Sequence, residues 1–172
     1  GGRYSNGVVV SVLHIILFLL LVLKVRSKVR EEEYLFMTTR TDFEFNVSVI
    51  STFIVLSDQA KLSARLWLPS SKDGSTTRFP ATLEYIPYRK NDGTSYRDSL
   101  RHPYLAGHGI AGVRVDIRGS GDSDGILLDE YLPLELSDAC EVIAWISRQP
   151  WCNGHVGMFG KSWGAFNSLQ VA

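Results

Sequence analysis

The sequence is short of several things, and each shortage excludes something. It has only two cysteines, Cys140 and Cys152, in 172 residues. That is too few for a disulfide framework. It has no surplus of either charge, since eighteen Lys and Arg balance eighteen Asp and Glu. A global pull toward nucleic acid or anionic lipid is thereby removed. It shows no internal repeat. It begins at Gly1 rather than Met and ends LQVA inside a helical pattern, so both ends read as cut and a longer parent protein is expected. What is present is ordinary globular composition, 45% hydrophobic and 21% charged, at a length that supports one domain with a core.

The first 36 residues differ from the rest. Val8 to Leu23 reads VVVSVLHIILFLLLVL without a charge, and Lys24, Arg26, Lys28 and Arg30 follow it. A spanning helix needs about 20 apolar residues, within a range of about 17–25, and the trailing basic cluster would keep the C-terminal side in the cytoplasm. A transmembrane helix with membrane contact through residues 8–25 is therefore one expectation, with a cytoplasmic or membrane-anchored body facing the cytoplasm. The alternative is that residues 1–36 are untranslated upstream sequence and Met37 is the start. His14, inside the apolar run, has nothing nearby to pair with.

From residue 46 onward the pattern is α/β. NVSVISTFIVL (46–56) and KLSARLWL (61–68) flank a Ser57-Asp58-Gln59 turn and predict an antiparallel hairpin with one solvated face. Strands are predicted over 81–86, 110–117 and 156–159. Helices are predicted over 95–105 and 134–148 and from Trp163 onward. The 134–148 helix is expected to bury Leu136, Ala139, Cys140, Ile143 and Ile146, with Cys140 a buried thiol. Antiparallel strands followed by strand–helix alternation imply an α/β sheet with a leading hairpin.

The stretch that carries chemistry is GMFGKSWGAF, residues 157–166. Gly160-Lys161-Ser162-Trp163-Gly164 fits G-x-S-x-G, whose mechanics require a strand before the turn and a helix after it. Both are predicted here, at the fifth strand. The serine then sits on a sharp turn with its hydroxyl exposed. The glycines are needed because side chains would clash with the adjoining strand and helix. A serine attacking an acyl carbon makes an oxyanion, which needs donors already in place. The backbone N–H of Trp163 is one candidate. Tyr88, just past Pro87 in the loop after the third strand, is the other through its hydroxyl.

Three motifs stand in order along the chain: IPYRKNDG after the third strand, VDIRG after the fourth, and QPWCNGHVGMFGKSWG around the serine. They resemble the cocaine esterase group of the Xaa-Pro dipeptidyl-peptidase-like serine hydrolases, over roughly residues 50–172. The resemblance implies an α/β-hydrolase fold, here truncated after the nucleophile elbow, with 46–172 as the N-terminal part of that domain. It implies Ser162 as nucleophile and Tyr88 as the side-chain half of the oxyanion hole. The family commonly carries tyrosine after its serine, where this chain has Trp163. The N–H survives that change, but the acyl pocket is reshaped. Family members include esterases, acylases active on β-lactam side chains and dipeptidyl peptidases cutting after proline. Small acyl ester, amide or peptide substrates are therefore expected, with no metal or organic cofactor.

In this fold the acid and the histidine follow the serine in chain order. The ten residues after Ser162 contain no His, Asp or Glu, and His102, His108 and His155 fall on elements away from the elbow. Other patterns carry less. Gly107, Gly109 and Gly112 spell G-x-G-x-x-G but follow a helix and lead into a strand, the reverse of a dinucleotide fingerprint, so they predict a helix cap and a turn. GDSDG (121–125) hints at a calcium loop, yet alignment on Gly125 puts Tyr131 where the bidentate glutamate belongs. A solvated loop braced by Asp116 and Arg118 is expected instead. The sequence thus points to a serine hydrolase acting through an acyl-enzyme on Ser162, the present chain by itself being inactive. The alternative is a non-catalytic, membrane-tethered binding module on the same fold. Expression from Met37 is expected to give a soluble body, and a product carrying residues 1–36 to partition into membranes. Recovery of the longer product in the soluble fraction would remove the anchor.

Overall fold

The computed structural model describes residues 42–172, which form one compact unit. The apolar run over 8–25, with His14, lies outside the described residues. Among those described, no helix is long and apolar enough to cross a membrane. The elements are β1 (Asn46–Val55), β2 (Lys61–Ser70), β3 (Phe79–Ile86), α1 (Ser95–Gly107), β4 (Ala111–Asp116), α2 (Pro133–Ser147), β5 (Cys152–Met158) and α3 (Trp163–Val171). They build a mixed five-stranded sheet in the order β1-β2-β4-β3-β5. β1 runs antiparallel to β2 and β2 antiparallel to β4, whereas β3 is parallel to both β4 and β5.

The expected leading hairpin is β1–β2, but only β1 has a solvated face. Val49, Phe53 and Val55 are exposed, while β2 is buried over most of its length because β4 pairs along its other side. β5 starts four residues earlier than its apolar residues suggest. Cys152 pairs with Phe79, and a register shift between Phe79 and Ala81 absorbs the polar Asn153-Gly154 step, as a β-bulge does. The G-x-G-x-x-G glycines mark a helix stop leading into a strand: Gly107 ends α1, Gly109 follows at φ 83°, and Gly112 lies in β4.

The two faces of the sheet differ in chemistry. Ala64, Leu66, Leu83, Tyr85, Val113 and Val115 make the apolar core that receives Ala139, Val142 and Ile146 of α2. That inner face of α2 is Glu135, Asp138, Ala139, Val142 and Ile146, turned from the predicted one by about one residue, or 100°. Leu136 and Cys140 are exposed as a result. Cys140 is therefore not the buried thiol expected; Cys152 is. The physical reason is that the two acids inside α2 have partners. Asp138 accepts from Arg118 Nε at 2.7 Å and Nη2 at 2.9 Å, so polar residues that periodicity assigns to solvent are satisfied indoors.

The opposite face is polar beneath α1. Arg114, fully buried in β4, reaches Asp98 of α1 at 3.3 Å and Asp116 at 3.1 Å, and donates to the Ile86 carbonyl at 3.3 Å. Arg97 adds bonds to Glu84 at 2.8 Å and Asp98 at 2.9 Å. Burial pulls the Arg114 guanidinium down, against the upward hold of Asp116, Asp98 and Glu84. Burial likewise pushes the Asp116 carboxyl up, against Arg114 and Lys90. Removing one partner of such a set strands the others without solvent. Arg114→Met is expected to destabilise the protein by about 3–5 kcal/mol, and Arg97→Met by less, because Arg97 is part-exposed and its buried partners keep other cations, Glu84 keeping Arg101 and Asp98 keeping Arg114. Urea unfolding midpoints of the two variants check the order; equal losses would show that Arg114 is not the centre of the set.

Candidate functional site

The turn between β5 and α3 is built by close approach. Ser162 has φ 56° and ψ −121°, a left-handed-side conformation that a non-glycine residue holds only when its surroundings impose it. Two contacts impose it here. A Cβ on Gly160 would lie 2.4 Å from the Gly164 backbone, and a Cβ on Gly164 would lie 2.7 Å from Cγ2 of Ile86. The chain is thus folded onto itself and pressed against the end of β3. Three bonds fix the geometry: Phe159 N–H donates to the Leu83 carbonyl at 3.1 Å, Asn167 to the Tyr85 carbonyl at 3.1 Å, and Ala165 N–H to the Ser162 carbonyl at 2.9 Å. The Ser162 side chain is exposed and its hydroxyl makes no hydrogen bond among the described residues. Trp163 is the first residue of α3. Its backbone N–H has no intrahelical acceptor, as at any helix start, and no acceptor among the described residues.

Tyr88 stands in the loop after β3 and is about one-third exposed. That loop is tied down at several points. Ser120 donates to the Pro87 carbonyl at 2.6 Å, Lys90 N–H to Asp116 at 2.9 Å, and Lys90 Nζ to Asp122 at 3.0 Å. Arg89 takes φ 56° within it. The glycine- and aspartate-rich loop is solvated as expected, with Gly121, Asp122, Asp124 and Gly125 exposed, and it is pinned by more partners than Asp116 and Arg118. Asp122 and Ser120 hold the Tyr88 loop, Ser123 donates to the Asp116 carbonyl at 2.7 Å, and Asp124 accepts from Lys61 N–H at 2.9 Å. Asp116 and Arg118 both brace this region but do not pair with each other. Asp116 takes Arg114 and Lys90, and Arg118 takes Asp138 and Asp58.

The wall beside Ser162 is aromatic. Tyr131 packs on Trp163 with ring centroids 5.3 Å apart and on Phe166 at 5.4 Å. Partial burial holds the Tyr131 phenol above its ordinary range, with Glu130, the nearby Tyr88 phenol and Glu135 adding to the effect. Tyr131 and Trp163 thus belong to one neighbourhood. Leu127, Leu128, Asp129, Glu130 and Trp163, the residue after Ser162, line an open cavity of about 300 Å³. Glu135 is a residue the sequence alone did not single out. It is buried and accepts from Trp163 Nε1 at 2.6 Å and from Tyr131 N–H at 3.0 Å. The one available signal was an acid in the first turn of a helix behind Pro133, which ordinarily only favours the helix N-terminus.

No described histidine serves the serine. His102 is buried in α1, stacked on Trp67 at 4.4 Å, and His108 packs against Phe43 and Tyr104. His155 is exposed in β5. Glu84, Asp98 and His102 come close enough to share a cation. Arg97, Arg101 and Arg114 already surround those carboxylates, so the cluster is an ion-pair set and a metal there would face cationic neighbours.

A mixed sheet whose strand–turn–helix exposes a serine on a positive-φ turn is the arrangement of an α/β hydrolase. The chain belongs to the X-Pro dipeptidyl-peptidase (S15 family), whose family model matches residues 58–172. It is 34% identical over 131 residues to cocaine esterase of Rhodococcus sp., covering 74% of this chain and 21% of that protein. A Mycobacterium bovis protein assigned by name as a serine esterase is 31% identical over 128 residues, covering 66% of this chain and 20% of its own. The chain thus spans about a fifth of the length of these relatives. Its fold matches a CocE/NonD family hydrolase from Staphylococcus aureus (TM-score 0.62, 22% identity, 73% of this chain and 25% of that one). It also matches an α-amino acid ester hydrolase (TM-score 0.57, 23% identity, 76% and 24%). These relatives are named for hydrolysis, and the binding-module alternative gains nothing from them.

Gly160→Ala is expected to break the turn, because the added methyl meets backbone rather than a movable side chain. In the full-length protein, labelling of Ser162 by a fluorophosphonate should fall by at least about tenfold, the effect of a misplaced reactive group. Unchanged labelling would show that the turn does not need the close approach.

Proposed function

We propose that this chain supplies the nucleophile and the oxyanion donors of a serine hydrolase that cleaves a carboxylic ester or amide. The observation that carries the proposal is Ser162 at φ 56°, its hydroxyl exposed, directly ahead of the unsatisfied Trp163 N–H. Ser162 Oγ attacks the acyl carbon and its proton passes to a general base. The tetrahedral oxyanion collapses, the alcohol or amine leaves with a proton, and an acyl-enzyme remains, which water hydrolyses to the acid. The Trp163 N–H is the backbone donor to the oxyanion and the Tyr88 hydroxyl the side-chain donor. Both act on charge that exists only in the transition state, which is where such donors matter most.

The mechanism requires a base and an orienting acid that the described residues do not provide. Its substrates are small acyl esters, amides or peptides, in keeping with the cocaine esterase and dipeptidyl-peptidase relatives. In the full-length protein a fluorophosphonate is expected to label Ser162, and Ser162→Ala to abolish both labelling and turnover. Tyr88→Phe should lower kcat by about 10²–10³, the usual worth of one oxyanion donor, with a smaller change in KM. Probe mass on another serine would overturn the nucleophile assignment, and an unchanged kcat in Tyr88→Phe would show that this tyrosine only packs.

A further inference from the structure

We infer that Glu135 is a positioning residue that sets the substrate preference of the site, by holding the aromatic wall next to the nucleophile. The inference rests on the reading of Ser162 as nucleophile. Glu135 lies in the first turn of α2, behind the wall rather than in the cavity. One carboxylate oxygen accepts from Trp163 Nε1 at 2.6 Å and the other from Tyr131 N–H at 3.0 Å. A carboxylate accepting at both oxygens is saturated along those directions, so it fixes both partners at once. Trp163 follows the nucleophile in sequence and is one of the residues lining the 300 Å³ cavity. Tyr131 sits at φ 61°, a conformation its side chain disfavours, and its ring packs on both Trp163 and Phe166. The bond from its N–H to Glu135 holds it there.

The alternative, an acid that merely starts the helix, accounts for the bond from the Tyr131 N–H, because an acid in the third helical position reaches back to backbone N–H groups at the helix start. It does not account for the second bond, from the indole of another helix. Glu135 is buried and spends its oxygens on one side chain of α3 and one backbone group ahead of α2. The wall so held is selective by chemistry. Leu127, Leu128 and Trp163 bring apolar side chains to the cavity, while the exposed Asp129 and Glu130 bring two carboxylates. A neutral, bulky acyl group such as phenylacetyl gains contact there. A small acetyl group gains little, and an anionic acyl group such as a succinyl half-ester meets two like charges.

The test uses the full-length protein and p-nitrophenyl esters of phenylacetate, acetate and succinate. Wild type is expected to prefer phenylacetyl over acetyl, and succinyl least. Glu135→Ala should lower the phenylacetyl-over-acetyl ratio of kcat/KM by about tenfold, chiefly through KM, the size of effect one apolar contact region commonly gives. Trp163→Phe should lower the ratio similarly, and the double variant no further, because the two residues act as one unit. Glu135→Gln keeps an oxygen to accept from the indole and should restore most of the ratio. Equal loss on all three esters, or additive effects in the double variant, would overturn the inference and leave Glu135 a stability residue. Fluorophosphonate labelling is read in every variant: labelled Ser162 with an unchanged ester ratio in Glu135→Ala sinks the Glu135 assignment alone. Unlabelled Ser162 in wild type sinks the nucleophile reading and this inference with it.

Discussion

The buried guanidinium of Arg114 is the interaction on which the arrangement depends. It sits in β4, in the middle of the sheet, fully shielded from solvent. A charge in that position is tolerable only when opposite charges and acceptors surround it. Its partners belong to three different elements: Asp98 on α1, Asp116 at the end of β4, and the carbonyl of Ile86 at the end of β3. Two of them lead to the site. Ile86 supports Gly164 at the turn that carries Ser162, and the residues after it run straight into the Tyr88 loop. Asp116 in turn takes the Lys90 N–H of that loop. The polar layer under α1 thus aligns the end of β3 with the two segments the proposed chemistry needs.

The turn itself is held by sterics rather than by charge. Gly160 and Gly164 touch, and Gly164 touches Ile86, so the path of the backbone is set by contacts that leave no room for a Cβ. This has an energetic cost, since Ser162 holds a conformation that disfavours it. The cost is borne by hydrogen bonds reaching into the sheet, from Phe159 to Leu83 and from Asn167 to Tyr85. Both acceptors lie on β3. One strand therefore anchors the strand before the turn and the helix after it, and its last residue packs beneath the crossing. A rigid platform under a strained residue is what keeps an exposed hydroxyl in one place.

Much of this was legible in the sequence, for identifiable reasons. The elements were found because β-branched runs and punctuating Pro and Gly fall where the strands end, and the serine motif because its glycines have a steric purpose that no other residue meets. β5 began early because pairing with β3 recruits Cys152 despite the polar Asn153-Gly154 step, which is a tertiary effect and invisible to local pattern. The pinning of the Gly121–Gly125 loop was hidden for the same reason. Asp122 and Asp124 are the exposed turn residues they look like, and only the fold shows that they also take Lys90, Asn91 and the backbone of Lys61 as partners. The site residue missed altogether, Glu135, is defined wholly by partners four and twenty-eight positions away.

The misplaced face of α2 carries the same lesson further. Periodicity put Leu136, Cys140 and Ile143 inside because they are the apolar residues, and it put Glu135 and Asp138 outside because they are charged. The helix is rotated so that both acids point inward. A rotation that exposes Leu136 and buries two carboxylates gives up apolar burial, and it persists only because the acids find strong donors. Asp138 finds the guanidinium of Arg118, and Glu135 finds the indole of Trp163. Arg118 also reaches Asp58 in the β1–β2 turn, so one acid fastens α2 to the sheet and the other fastens it to α3. The local rule is broken at two positions that connect α2 to its neighbours, one of them against the turn that carries Ser162. Where a sequence departs from its own hydrophobic pattern and the structure satisfies the departure, the residues involved serve something beyond core packing. In this fold that something is the orientation of the wall beside Ser162.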